Sequence, residues 1–228
     1  MSLGSGSNAE AKIAEEIIKS WGFIEGFIEK HSLEVPLYAA SGWDRDTNSL
    51  VFDTDIYDQE NRKWLLEDAN GNYREPTSWE LYNNFSGRLS VSSDNDVGLI
   101  KLSFEHYSPY LAKQWVDLIF VEINSHMQKR KLNKVNSNIE YLQEQIEKTS
   151  ISQMQTVFYT IIEEQIKSKM LAEAAPEHTF VLVSKSMVAE ESSSTKPLVI
   201  FLLGGFLGLC FAILVVLLRY NIANTKDP

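Results

Sequence analysis

Residues 198–218 form a run of 21 uncharged, almost wholly apolar residues, with Gly204, Gly205 and Gly208 spaced inside it. As a helix rising about 1.5 Å per residue the run is about 32 Å long, close to the ~30 Å hydrocarbon core of a bilayer. A segment apolar on every face must be enclosed by a larger domain or by lipid. The sequence therefore predicts a C-terminal transmembrane helix over 198–218 and a tail over 219–228. Flanking charge is sparse, Lys196 before the run and Arg219 and Lys226 after it, and favours a cytoplasmic tail. Gly204-x-x-x-Gly208, widened by Gly205, places small residues on one helix face, where a second membrane helix can approach closely.

Outside that run the chain is acidic, with a net charge of −10 overall. A nucleic-acid-binding body needs a basic face for phosphates, so no nucleic-acid partner is expected. The one cysteine, Cys210, lies within the apolar run, which leaves no intrachain disulfide and no cysteine-based zinc site. His31, His106, His126 and His178 are far apart and show no metal-ligand spacing. There is no phosphate loop, no zinc helix of the His-Glu-x-x-His type and no Gly-x-Ser-x-Gly elbow. The adjacent pairs Glu163-Glu164 and Glu190-Glu191 diverge on a helix or linker rather than flank a substrate. Catalytic residues, cofactor and metal are therefore all expected to be none, and the chain is not expected to be an enzyme.

The start, Met1 to Ser7, resembles an expression scar or flexible linker and is set aside from fold reasoning. From Asn8 to Lys30 the apolar residues Ile13, Ile17, Trp21, Ile24 and Phe27 or Ile28 recur every three or four positions. They predict an amphipathic helix that Gly22 and Gly26 weaken and divide, with a short second piece near Glu29 to Leu33. The stretch from Pro36 to Trp79 is rich in Asp, Asn, Gly and Tyr and reads as loops and short elements, with a strand near Leu50 to Asp53 and an Asn70-Gly71 turn. Ser78 is placed as the N-cap of a helix through Phe85. Arg88 to Ser92 and Gly98 to Glu105 alternate as a β-hairpin with one face buried. The intervening Asp94 and Asp96 read as a turn rather than a calcium loop, because the later glycine and glutamate are missing.

Ser108-Pro109 then starts the most regular part of the chain. Leu132, Val135, Ile139, Leu142 and Ile146 recur at steps of three and four, a seam made for a partner helix and for oligomer packing. The seam slips at Thr149-Ser150-Ile151-Ser152, where capping residues gather. Beyond it Met154, Val157, Phe158, Ile161, Gln165 and Met170 begin a second helix. A helical hairpin over 109–175 is the expectation, in preference to one unbroken coiled coil. Part of its longer arm is left for neighbouring subunits. Gln128-Lys129-Arg130-Lys131 is the one basic cluster. It reads as a solvated helix flank, with Lys129, Arg130 and Lys131 as candidate contacts for an anionic lipid, polysaccharide or neighbouring subunit. Thr179 to Ser184 is β-rich and predicts a strand, within 176–188, that returns the hairpin to the base. Residues 189–197 then form a polar linker.

The order of these features resembles the Wzz-type chain-length determinants, or polysaccharide co-polymerases. The resemblance rests on Leu89-Ser90-Val91-Ser92, then Gly98-Leu99-Ile100-Lys101-Leu102-Ser103-Phe104-Glu105-His106, then Ser108-Pro109-x-x-Ala112-x-x-Trp115 and Ile123-Asn124. Downstream it rests on Ile139-x-Tyr141-Leu142, Glu163-x-Gln165, Met170-Leu171-Ala172, Pro176-Glu177 and Phe180-Val181-Leu182-Val183. It implies an α+β periplasmic base over 8–108, a long protruding helical hairpin and a C-terminal transmembrane helix. The family's first transmembrane helix is missing ahead of Asn8, and of its proline-rich approach to the last span only Pro197 is present. The tail after Arg219 is too short for the kinase domain fused to some relatives. The implied function is non-catalytic: regulation of lipopolysaccharide O-antigen chain length by a homo-oligomeric scaffold at the bacterial inner membrane. Its implied partners are the O-antigen polymerase, a lipid-linked glycan and the membrane. The alternative from another class is a tail-anchored coiled-coil tethering or fusion protein. That protein would carry its heptads directly to the membrane, without the intervening strand and serine linker.

Overall fold

Two successive helices open the chain, and the break between them falls at a serine. The computed structural model describes residues 4–94, 97–174 and 180–191 with Gly208 and Phe211, and the chain divides into two units, Met1–Val188 and Ala189–Pro228. In the first unit, helix α1 (Gly4–Lys19) buries Ala11, Ala14 and Ile18 at helical spacing, and helix α2 (Trp21–His31) buries Phe23, Ile24, Phe27 and Ile28. Ser20 separates them in an extended conformation. Its hydroxyl accepts from the Phe23 amide at 3.4 Å and donates to the Ile17 carbonyl at 2.7 Å. The division expected at Gly22 and Gly26 is thus made by a capping serine, and both glycines lie inside α2. Helix begins at Gly4, within the segment set aside as a linker. Trp21, expected on the apolar face, is 38% exposed. Ser32 ends α2 in the left-handed region (φ 51°), and the short piece that follows is α3 (Glu34–Tyr38), later than the 29–33 expected.

The polar stretch after α3 folds as three small antiparallel hairpins: β1 (Ala40–Asp44) with β2 (Ser49–Phe52), β3 (Tyr57–Asp58) with β4 (Lys63–Trp64), and β5 (Leu66–Glu67) with β6 (Tyr73–Arg74). An aspartate organises each turn. Asp44 accepts from the Asp46 amide and the Thr47 hydroxyl, Asp58 from the Glu60 and Asn61 amides, and Asp68 from the Asn70 and Asn72 amides. Gly71 supplies the positive φ (80°) in the last of them.

Helix α4 (Ser78–Arg88) is capped by Thr77, one residue before the expected Ser78. Thr77 Oγ1 accepts from the Glu80 amide at 3.2 Å, and the Glu80 carboxylate accepts from the Thr77 amide at 2.8 Å, a reciprocal capping box. Arg74 grips the same carboxylate through two bonds of 2.7 Å. Cation and cap together hold the Glu80 carboxyl down to about 2.

Strands β7 (Leu89–Asp94) and β8 (Leu99–Phe104) form the hairpin the alternation predicts, in the register Leu89 to Phe104 and Val91 to Leu102. Val91 and Phe104 face the core, where Phe104 meets Phe85 at 4.8 Å and Trp115 at 5.0 Å between ring centroids. Trp115 and Ile119 reach this core from helix α5 (Pro109–Lys148), which Ser108 caps and Pro109 begins. At 40 residues α5 is about 60 Å long. Helix α6 (Ser152–Ala174) follows after Thr149, whose extended backbone stops the first arm.

Two expectations are corrected. Phe180 to Ser184 is not a strand, and β7 and β8 form a sheet of two strands. The reason is that the Phe180 backbone pairs with a side chain, Asn124 of α5, instead of a strand edge. The fold class also changes: it is a mixed α/β domain, and a C-terminal transmembrane helix is not supported. Among the described residues no helix is long and apolar enough to cross a membrane. The arms α5 and α6 have the length, but charged side chains recur along both. The 198–218 run lies outside the described residues apart from Gly208 and Phe211, which are helical and exposed.

Candidate functional site

Several of the motif residues that carry the resemblance serve the fold. His106 donates from Nε2 to the Pro36 carbonyl at 2.9 Å and accepts the Ser108 amide on Nδ1 at 3.1 Å, so the geometry suits the neutral tautomer with its proton on Nε2. Its ring lies 4.9 Å from that of Trp115, and burial pushes its pKa down. Ser108 is buried and caps α5, Trp115 and Ile123 are core residues, and Asn124 is buried beneath Phe180. These groups tie α3, β8, α5 and the returning chain together, and their polar atoms point at backbone.

The helical hairpin carries the largest organised surface. Val135 is buried against α6, and Leu132, Ile139, Leu142 and Ile146 are half-buried on the same side of α5. The predicted seam is therefore satisfied within the chain. From α6 the covered residues are Gln155, Phe158, Ile162, Gln165, Ser168, Lys169 and Ala172. Two glutamines fasten the ends. Gln128 donates to the Ala172 carbonyl at 2.7 Å near the base, and Gln155 donates to the Thr149 carbonyl at 2.9 Å at the tip.

Of the six residues that announce α6 in the sequence, only Phe158 and Gln165 face α5. Met154 (44%), Val157 (56%), Ile161 (38%) and Met170 (62%) are exposed. By helical spacing the exposed apolar residues fall into two stripes that flank the covered face: Met154, Val157, Ile161 and Leu171 on one side, Tyr159, Ile166 and Met170 on the other. Periodicity announced a helix here without telling which of its apolar residues face inward, because both flanks are apolar as well.

Lys129, Arg130 and Lys131 are exposed, and among the described residues none of them is in an ion pair. Arg130 borders an open groove of about 480 Å³ between α1 and α5, with Ile13 and Ile17 inside it and Lys12, Glu16 and His126 at its edges. Lys12 and Arg130 against the one carboxylate of Glu16 leave a net positive charge that suits an anionic group, with Arg130 the member of the cluster placed to meet it. Lys129 and Lys131 do not line the groove. Gly204 and Gly205 lie outside the described residues. Gly208 is exposed, and a Cβ there would meet nothing within 4 Å.

Among the described residues no three His, Cys, Asp or Glu side chains converge as they would around a metal ion. Compared with models of known protein families the chain matches none, and no curated protein is significantly similar to it.

Proposed function

We propose that the chain is a non-catalytic scaffold that regulates the chain length of lipopolysaccharide O-antigen, self-associating through its hairpin and acting beside the glycan polymerase on the periplasmic side of the inner membrane. The observation that carries this reading is the pair of exposed apolar stripes on α6. A helix with one free apolar flank pairs once; a helix with two receives a different neighbour on each side, and head-to-tail contacts of that kind close into a ring when the rotation allows. The seam between α5 and α6 supports the reading differently, by making each hairpin a rigid strut that needs no neighbour to form.

The basic groove beside Arg130 gives such a scaffold a place for an anionic partner, and the phosphate of a lipid-linked glycan has the right charge. The order of motifs over most of the chain, and their structural employment around His106, Ser108 and Asn124, agree with a protein whose work is positioning.

Electrophoretic profiling of the surface glycan tests the reading in the source bacterium, with the gene deleted and then restored. A regulator leaves polymer present on deletion, with its preferred length dispersed, and restores that length on complementation. Loss of all polymer points instead to an enzyme of assembly, and an unchanged profile overturns the proposal.

A further inference from the structure

Trp21 of α2 and Trp79 and Tyr82 of α4 form a stacked triad on the solvent side of both helices. The ring centroids are 5.2 Å apart for Trp21 and Trp79, 5.4 Å for Trp21 and Tyr82, and 5.8 Å for Trp79 and Tyr82, with interplanar angles of 26°, 15° and 26°. Trp79 is 56% exposed. Phe27 and Phe85 of the same helices fill the core, half-buried Tyr82 packs against its edge, and Trp21 and Trp79 carry the stack out to solvent. Its polar ends are anchored. The Trp21 indole donates to Glu25 at 2.9 Å, the Ser78 hydroxyl donates to the other oxygen of that carboxylate, and the Tyr82 hydroxyl donates to the Lys19 carbonyl at 3.2 Å.

A second observation lies beside it. Gly22 and Gly26 share the exposed side of α2 with Trp21 and Glu25. Glycine weakens a helix interior, and neither position requires it: a Cβ at either would meet nothing within 4 Å. What the two glycines do is leave the space next to the Glu25 carboxylate free of side chains.

We propose that Trp21, Trp79 and Tyr82 are a stacking platform for a neutral glycan, with Glu25 accepting hydrogen bonds from the sugar's hydroxyls. The inference rests on the chain-length reading and names how the scaffold would touch its polymer. Ring geometry decides against a cage for a quaternary ammonium, which needs aromatic faces turned toward a common centre. Rings stacked with planes within 26° of one another have no such centre, and the face left open to a ligand is chiefly that of Trp79, the most exposed of the three. Three rings are also a small area beside the ~800 Å² per partner that a protein interface buries. A pyranose has an apolar C–H face to lie on the rings and a rim of hydroxyl donors for a carboxylate whose oxygens keep free lone pairs. Glu25, with the chain's net charge of −10, disfavours an acidic sugar. The anchored ring ends mean that little ordering remains when the ligand arrives.

The test is saturation-transfer NMR on the whole chain with maltoheptaose and chitopentaose, with choline chloride and phosphatidylcholine vesicles as competing probes. Saturation of the sugar ring protons is expected, with binding weakened about tenfold in Trp79→Ala, on the scale of rings stacking on aromatic side chains. Gly26→Leu, whose side chain would enter the open space, is expected to weaken binding while keeping the circular dichroism spectrum. Equal binding by Trp79→Ala, preference for choline, or vesicle binding without sugar binding would each overturn the platform. The failures separate cleanly. A chain that alters glycan length in cells but binds neither oligosaccharide keeps the regulatory reading and loses the platform, whereas sugar binding without any effect on length does the reverse.

Discussion

Asn124 on α5 grips the backbone of Phe180 from both sides. Its Oδ1 accepts from the Phe180 amide at 3.0 Å, and its Nδ2 donates to the Phe180 carbonyl at 3.3 Å and shares the Phe120 carbonyl at the same distance. One buried side chain thus does what a neighbouring strand would do and closes the return from the hairpin. Asn124→Ala is expected to lose about 1 to 2 kcal/mol in chemical denaturation, since it leaves two partly buried backbone groups of Phe180 without their partner. Asn124→Asp still accepts from the amide but cannot donate to either carbonyl, and should lose nearly as much. Hydrogen exchange at the Phe180 amide checks the mechanism: in both variants it should speed up more than exchange in the β7–β8 pair.

His106 gives the base a pH dependence. Burial lowers its folded pKa below the ordinary value near 6.5, with a smaller contribution from Arg88, while the bond to the Pro36 carbonyl opposes the shift. The neutral form is therefore the folded one. Stability from this group is present above about pH 6.5 and is lost as pH falls from there through the folded pKa. Denaturation midpoints measured from pH 7.5 to pH 5 should decline for the parent chain and decline less steeply for His106→Phe.

Glu80 has the same sign in a more acid window. Its folded pKa is about 2, below an ordinary value of 4.5, because Arg74 and the Thr77 cap favour the carboxylate. The stabilisation is complete above about pH 4.5 and disappears on acidification toward pH 2. Both partners are about one-third exposed, so solvent screening holds the expected loss in Glu80→Gln to about 1 kcal/mol at pH 7. Carbon-detected titration of the Glu80 carboxyl should show its midpoint far below the ordinary value of 4.5.

The two faces of the hairpin should respond oppositely to charge. Val135→Asp, like Leu142→Asp or Ile146→Asp, puts a carboxylate into the contact between α5 and α6, and for buried Val135 the expected loss is about 3 kcal/mol or more with reduced helicity. Met154→Glu, Val157→Glu and Ile161→Glu lie outside that contact and should change monomer stability by no more than about 0.5 kcal/mol each. Chemical cross-linking should find them defective in self-association. Equal cross-linking by the triple variant and the parent would remove the α6 flank from the interface.

Local signals were the legible ones. Ser108-Pro109 marked the start of α5, alternation from Leu99 to Phe104 marked β8, and capping residues near Thr149 marked the break between the arms. Each feature is decided by neighbours within a few residues. The return at Phe180 was not legible, because β-branched and aromatic residues favour extended backbone without telling whether its partner is a strand or, as here, an asparagine 56 positions away. Trp21 was assigned inward from period alone, whereas α4 covers it from the side through Trp79. The inward and outward residues of α6 could not be separated for a similar reason: three apolar faces on one helix blur a single periodicity. The 198–218 run was read from its length and hydropathy, and among the described residues no helix is long and apolar enough to cross a membrane.

The most direct measurement is the surface-glycan length profile of a deletion strain complemented with either the parent chain or the Met154→Glu, Val157→Glu, Ile161→Glu triple variant, with expression and folding matched. A scaffold acting through its hairpin flanks should restore a preferred length only with the parent, while the triple variant leaves polymer present and its lengths dispersed. Full restoration of the length distribution by a triple variant that no longer self-associates would contradict the scaffold mechanism.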